Sequence, residues 1–199
     1  MTSDQINLGE TSLFRSAVTS DFQQLLQAYS IVSSIGSITQ FAQLWGERGF
    51  SEIHRFPVTD KFRHEYVFGL YGVIFELLNE AALNTAVVNT GICYSLYFVF
   101  YSQPQDKEKF YLPVTPSELL MLINFVKSAR LVYPDVGIAI DRMIYEDVFV
   151  IVPESCNPNS FDADYLECNE VKKAYMGRPE KLAVLENIIS TDLVYEIIT

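Results

Sequence analysis

From Ala81 to Gln105 the chain carries no Asp, Glu, Lys or Arg. Charged side chains are what ordinarily keep one face of an element in water, so a run this long without them has few folding options. Either it spans a bilayer or the rest of the protein wraps it. Asn84, Thr85, Asn89, Thr90, Ser95, Ser102 and Gln103 interrupt the run, and only Gly91 to Tyr101 is densely apolar. No cluster of Lys or Arg flanks one end to set an orientation. The run therefore reads as a buried central helix. Tyr94, Tyr97, Phe98 and Tyr101 fall on one stripe of it, and aromatics at this spacing in a neutral segment read as core before they read as a base-stacking platform.

The flanking sequence supplies helices to do the wrapping. Ser20 reads as the cap of a helix through Tyr29, with Phe22, Leu25, Leu26 and Tyr29 on one face. Ser37 caps a second carrying Ile38, Phe41, Ala42 and Trp45, with Gly46 or Gly49 as its stop. Thr59-Asp60 opens a long pattern through Phe62, Tyr66, Leu70, Val73, Ile74 and Leu77. Gln103 to Lys107 is a polar turn. Thr115-Pro116-Ser117-Glu118 is the clearest local signal: a capping threonine, a proline at the first helical position and a glutamate placed to return a bond to the cap. That helix should run to about Leu131. Tyr133-Pro134-Asp135 starts another, with Val136, Ile140, Met143 and Ile144. Val148 to Val152 is an extended run ended by Pro153. After Asn157-Pro158-Asn159-Ser160 come two further helical patterns, near Ala163 to Met176 and Pro179 to Ile189. The expected fold is all-α, a bundle of about seven to nine helices with at most one short extended segment. The expected organisation is a tail over 1–19, a helical core domain over 20–153 and a C-terminal helical extension over 154–199.

Acidic residues outnumber basic ones 25 to 14, a formal charge of -11. That balance argues against a principal nucleic-acid reader, which needs clustered bases to neutralise phosphates. Two basic islands remain: His54-Arg55 with Lys61, Arg63 and His64, and Lys172-Lys173 with Arg178 and Lys181. Each reads first as a solvated face. The sharper reading gives Arg55, Lys61, Arg63, Lys172 and Lys173 a contact with DNA backbone. Cys93, Cys156 and Cys168 are odd in number and irregular in spacing, which fits free thiols in a reducing compartment. Met1 to Glu10 shows no secretory pattern.

Catalytic chemistry finds no foothold. His54 and His64 match no zinc spacing and pair with no cysteine. Gly69 and Gly72 lie inside a helical pattern, where they permit close packing more often than they hold phosphate. Asp162 and Asp164 lack a third ligand at calcium-loop spacing. No catalytic, metal or cofactor residue is expected, and no small-molecule substrate.

Several segments, in order, resemble subunit 1 of the small-nuclear-RNA-activating protein complex (SNAPc). Ser20-Asp21-Phe22 through Leu25-Leu26 looks like that family's opening acidic-hydrophobic helix. Phe41-Ala42-Gln43-Leu44-Trp45, followed by Gly49-Phe50 and Ile53, is similar to its F-x-x-L-W element. Gly91 to Tyr97, with Tyr101 and Gln103, resembles its G-x-L-Y-x-L-Y-x-L-Y-x-x-Q pattern. The capped helix from Thr115 and the segment from Asp135 to Val148-Phe149 follow in the family's order. Leu185 to Leu193 resembles its L-I-T-S-D-V-L stretch.

The resemblance implies a nuclear, non-catalytic scaffold in a complex that recognises the proximal sequence element of small nuclear RNA promoters for RNA polymerases II and III. It implies partners in subunit 3 and the Myb-repeat-bearing subunit 4, with promoter DNA met mainly through the complex. Phe41, Trp45, Phe50, Leu185, Ile188, Ile189 and Leu193 are the partner-binding residues it suggests. The extension after Pro153 would engage subunit 4, and the N-terminal bundle subunit 3. The family's basic residues between tryptophan and tyrosine helix are only partly echoed by Arg55, Lys61 and Arg63. A competing reading from another class is a cytosolic helical adaptor that binds peptides or trafficking partners.

Overall fold

The neutral run becomes helix α4, Ala86–Tyr101, in a computed structural model that describes residues 12–33, 36–55, 63–80, 85–107 and 109–153. Thr85 caps it by accepting from the Val88 amide. From Asn89 to Leu96 every residue is buried, so α4 has no wet face along that stretch. Among the described residues four helices cover it: α1 (Ser12–Val32), α2 (Ile38–Glu47), α3 (Arg63–Asn79) and α6 (Pro134–Tyr145). Two of its small polar side chains, Thr90 and Ser95, are satisfied within the helix. Thr90 Oγ1 donates to the Ala86 carbonyl at 2.8 Å and Ser95 Oγ to Gly91 at 3.0 Å. Gly91 brings α1 close: a Cβ there would lie 2.8 Å from Leu26 Cδ2 and 3.0 Å from Tyr29 Cδ1.

Buried tyrosines tie the connections to this core, because a buried hydroxyl needs a partner and a loop carbonyl offers one. Tyr94 donates to the Gly36 carbonyl at 2.7 Å, and Tyr29 to Ser37 at 3.2 Å. Tyr66 donates to Ile53 at 2.8 Å and Tyr71 to Phe110 at 3.2 Å. Gly36, at φ +61°, passes beneath Tyr133 so closely that a Cβ would lie 2.4 Å from the ring. The turn between α1 and α2 is thereby pinned from both sides.

The tyrosine helix ends in the expected polar turn, exposed over 105–107, but Gln103 at its start faces inward. It is buried, and its amide stands in for a neighbouring strand. The Phe110 N–H donates to Gln103 Oε1 at 2.8 Å, while Gln103 Nε2 donates to the Phe110 carbonyl at 2.9 Å and to Tyr71 Oη at 3.1 Å.

The N-terminal helix begins earlier than its sequence suggested. Ser20 lies in the middle of α1, accepting only from Gln24. Phe14 and Val18 extend the stripe of Phe22, Leu25 and Tyr29 by two turns, and Phe14 packs 5.5 Å from the Tyr66 ring. Packing thus overrides a plausible cap. Ser37 does cap α2, accepting from Thr39. Thr115 forms the expected capping box of α5 (Pro116–Ala129): its hydroxyl accepts from the Glu118 amide and its own amide donates to Glu118 Oε2. Thr59-Asp60 and the two helical patterns beyond Pro153 lie outside the described residues.

Two short strands are present where at most one extended segment was expected. β2, Phe149–Ile151, falls within the extended run; β1, Leu112–Val114, was not foreseen. They pair in parallel, Leu112 opposite Phe149 and Val114 opposite Ile151, across the α5–α6 crossover. The ladder engages Leu112 and Val114, so the missing N–H of Pro113 falls on the side away from β2. The chain reaches β2 through a Schellman turn. The Val148 amide donates to Met143, the Asp147 amide to Ile144, and Asp147 adopts φ 56°. Among the described residues, no helix is long and apolar enough to cross a membrane.

Leu96→Ala is expected to lower stability by about 2–5 kcal/mol in urea unfolding, the range for truncating a fully buried aliphatic. Gln103→Leu should cost about 1–3 kcal/mol, because the Phe110 N–H loses its side-chain partner and the Phe110 carbonyl keeps only the Tyr71 hydroxyl.

Candidate protein interface

Phe41, Trp45 and Phe50 were expected to meet a partner, and the structure places them mostly inside the chain. Phe41 and Trp45 are buried and Phe50 half-buried. Phe41 lies 5.2 Å from Tyr29 and 5.6 Å from Phe98, and Trp45 lies 4.9 Å from Phe50. The F-x-x-L-W element therefore fastens α2 and its following 3-10 turn (Phe50–Arg55) onto α1 and α4. Of the three, Phe50 alone keeps accessible surface beyond a trace. Leu185, Ile188, Ile189 and Leu193 lie outside the described residues.

The first basic island comes apart in three dimensions. Arg63 is buried with its guanidinium 5.1 Å from the centre of the Phe110 ring, a cation–π contact that takes it off the surface. His54 turns inward as well, and its Nε2 donates to the Val99 carbonyl at 2.7 Å. Arg55 is exposed and pairs with Glu52 at 2.8 Å. Among the described residues of this island, Arg55 is the exposed base available to a phosphate, and Glu52 already pairs with it. The side chain of His64, Lys61, and the second island with Lys172 and Lys173 lie outside the described residues, as do Cys156 and Cys168. Cys93 is a buried thiol, and burial pushes its pKa up, so it is an inert core residue.

The aromatic stripe of α4 divides along its length. Tyr94 is core. Tyr97 and Tyr101 are only partly buried and join a surface cluster with α6. Arg142 donates to Tyr97 Oη at 2.9 Å and to Glu146 Oε1 at 2.8 Å, and its guanidinium lies 4.5 Å from the Tyr101 ring centre. Tyr101 donates to Glu146 Oε2 at 2.8 Å. These bonds from Arg142, and then from Tyr101, hold the Glu146 carboxyl below its ordinary range. Burial, followed by the bond to Glu146, pushes the Tyr101 hydroxyl up. Every polar group in this cluster answers another within it, so its chemistry is that of a staple between α4 and α6.

Open apolar ground lies at the other end of α6. Ile31 and Val32 close α1 with 78% and 50% of their surface exposed, and Leu131, Val132 and Ile138 show 87%, 65% and 68%. The two loops meet there. Tyr133 covers Gly36, and Asp135 Oδ2 accepts from the Ile38 amide at 3.1 Å. Exposed aliphatics gathered near such a junction are the residues from which interaction sites are built. Sequence periodicity missed it, because all of these residues but Ile138 lie at a helix end or in a turn, where no pattern indicates which way a side chain will face.

Fold and surface together define an all-α protein that, among the described residues, exposes five large aliphatics near the junction of the α1–α2 and α5–α6 turns. Comparison narrows the class. Residues 18–198 match the family described as small nuclear RNA activating complex (SNAPc), subunit 1, and the chain belongs to that family. No curated protein and no solved structure matches it. Membership gives the chain a role among the subunits of a small nuclear RNA gene transcription complex, and so in the nucleus; the family consists of transcription-factor subunits and is not a known enzyme family.

His54 makes the fold pH-sensitive. Burial lowers its pKa below 6.5, the nearby Arg63 adds to this, and the bond to Val99 opposes it. Nδ1 is buried with no hydrogen-bond partner among the described residues, so a second proton would have nothing to bond. A depressed pKa contributes stability that is complete above the unfolded value and is lost as pH falls below it. The thermal midpoint should drop between about pH 7.5 and about pH 5.5, and drop less in His54→Gln. An equal drop in both would remove His54 as the cause.

Proposed function

We propose that the chain is a non-catalytic scaffold subunit of the complex that binds the proximal sequence element of small nuclear RNA promoters for RNA polymerases II and III. In this reading it bridges subunit 3 and the Myb-repeat subunit 4, and meets promoter DNA mainly through them. The observation that carries the reading is the exposed aliphatic end formed by Ile31, Val32, Leu131, Val132 and Ile138. A solitary protein gains nothing from leaving such residues in water, whereas a subunit covers them on assembly. The formal charge of -11 agrees with DNA being read by other subunits. The apolar residues Leu185, Ile188, Ile189 and Leu193 would give the C-terminal extension its own partner contact, as a bridge requires two. Lys172 and Lys173, together with Arg55 and Lys61, would add at most weak contacts to the DNA backbone.

Substitution of the exposed end separates assembly from folding. Leu131→Asp with Val132→Asp removes no buried contact, so the thermal midpoint should stay close to that of the parent. Retention of the chain by purified subunits 3 and 4 should weaken at least about tenfold. Undiminished retention at unchanged stability would dismiss this surface as the interface. A chain that ignores both subunits and instead holds peptides in the cytosol would favour the adaptor reading.

A further inference from the structure

Shifted by 45 residues and without a gap, 134–152 falls on 179–197. Pro134-Asp135, which opens α6, matches Pro179-Glu180. The buried Ala139, Ile140 and Met143 match Val184, Leu185 and Ile188. Asp147, whose φ of 56° turns the chain out of α6, matches Asp192. The buried Val148, Val150 and Val152 match Leu193, Tyr195 and Ile197. Val136 against Lys181 is the departure among the buried positions of the helix that matters most. An apolar helical stripe alone would mean little. Here a proline start, a left-handed turn and an alternating strand keep one register.

β2 offers such a unit an edge. β1 and β2 form a two-stranded sheet, so each strand has one side without a neighbour. On β1 that side presents Pro113, which has no N–H to give. On β2 it is able to pair. The Val148 carbonyl accepts from Leu112 and the Val152 amide donates to Val114, both at 2.9 Å. The N–H and C=O of Phe149 and Ile151 are thereby turned away from β1, and among the described residues they meet no partner. Such an edge specifies its occupant: extended backbone, with apolar side chains that continue the buried valines.

The chain order fits as well. β1 reaches its parallel neighbour through two helices. Beyond β2 the sequence offers the same succession, helical patterns near 163–176 and 179–189 and then Val194, Tyr195, Ile197 and Ile198, which favour a strand. Repeating the crossover in the same sense carries the chain to the far side of β2. Glu196, at the place of the half-buried Ile151, suits the last strand of a sheet, where a charge discourages further pairing.

We infer that 179–197 is a second copy of the α6–β2 unit, and that 194–196 joins the open edge of β2 as a third parallel strand with Val194 beside Phe149. Tyr195 then donates to the Phe149 carbonyl and accepts from the Ile151 N–H. The pairing does not rest on the scaffold reading, but one consequence does. In the first unit α4 and α5 cover α6. In the second the pattern at 163–176 stands for α5, and the place of α4 falls to a helix of another subunit, against Leu185, Ile188 and Ile189.

Residue-resolved amide exchange on the full chain tests the pairing. Phe149 and Ile151 should exchange at least about tenfold more slowly in the parent than in Tyr195→Pro, which withdraws the N–H offered to Phe149. Val150, on the β1 side of the ladder, should stay slow in both, which separates loss of one strand from loss of the bundle. Asp192→Gly should keep the protection, because glycine takes a left-handed turn readily, and Asp192→Val should lose it. A photo-crosslinking residue at Val194 should join the peptide that contains Phe149. Rapid exchange at Phe149 and Ile151 in the parent overturns the inference. So does protection that survives both Tyr195→Pro and Asp192→Val, or a crosslink from Val194 that never reaches β2. Capture by subunits 3 and 4 in any of those cases leaves the scaffold reading standing.

Discussion

A helix without charge on any side cannot lie on a surface, and that constraint organises this molecule. α4 has to be covered all round between Asn89 and Leu96, and four of the described helices do the covering. Each approach makes its own local demand. Gly91 removes the side chain that would hold α1 away, and Thr90 and Ser95 bond back within the helix so that their hydroxyls need no water. The energetic logic is the ordinary one: apolar area leaves water, and the few polar groups that go with it arrive already paired.

Tyrosine carries the same logic outward. A phenylalanine at position 29, 66, 71 or 94 would fill much the same volume but tie down nothing. Each hydroxyl instead finds a backbone carbonyl in a connection between elements. Those bonds set where the loops run, and the loops decide what is exposed. Because Tyr94 holds Gly36 and Tyr133 lies over it, the end of α1 and the α5–α6 turn share one end of the bundle. The open aliphatic surface there is a by-product of the internal tyrosine bonds.

Legibility varied with the range of the interaction responsible. Ser37 and the capping box at Thr115 depend on partners two or three residues away, and a linear pattern reports such contacts well. The start of α1 depends on Phe14 meeting Tyr66, and β1 depends on β2 across an entire helical hairpin. Neither leaves a local trace. The surroundings of the candidate site residues followed the same division. Arg63 reads as a surface base until Phe110 lies over it, and His54 until the Val99 carbonyl claims its ring. Phe41 and Trp45, read by resemblance as partner contacts, lie in the chain's own aromatic core.

Composition and periodicity determined the class of fold and the identity of its central helix, because absence of charge and helical spacing are properties of neighbouring residues. The ordered set of segments from the acidic-hydrophobic helix to Leu193 determined the family. Tertiary structure alone decided which aromatics are core, which bases face inward and which aliphatics remain uncovered. Those outcomes are settled by contacts between residues far apart in the chain, such as Tyr94 with Gly36 or Gln103 with Tyr71, and a side chain's exposure belongs to the pair and not to either residue by itself.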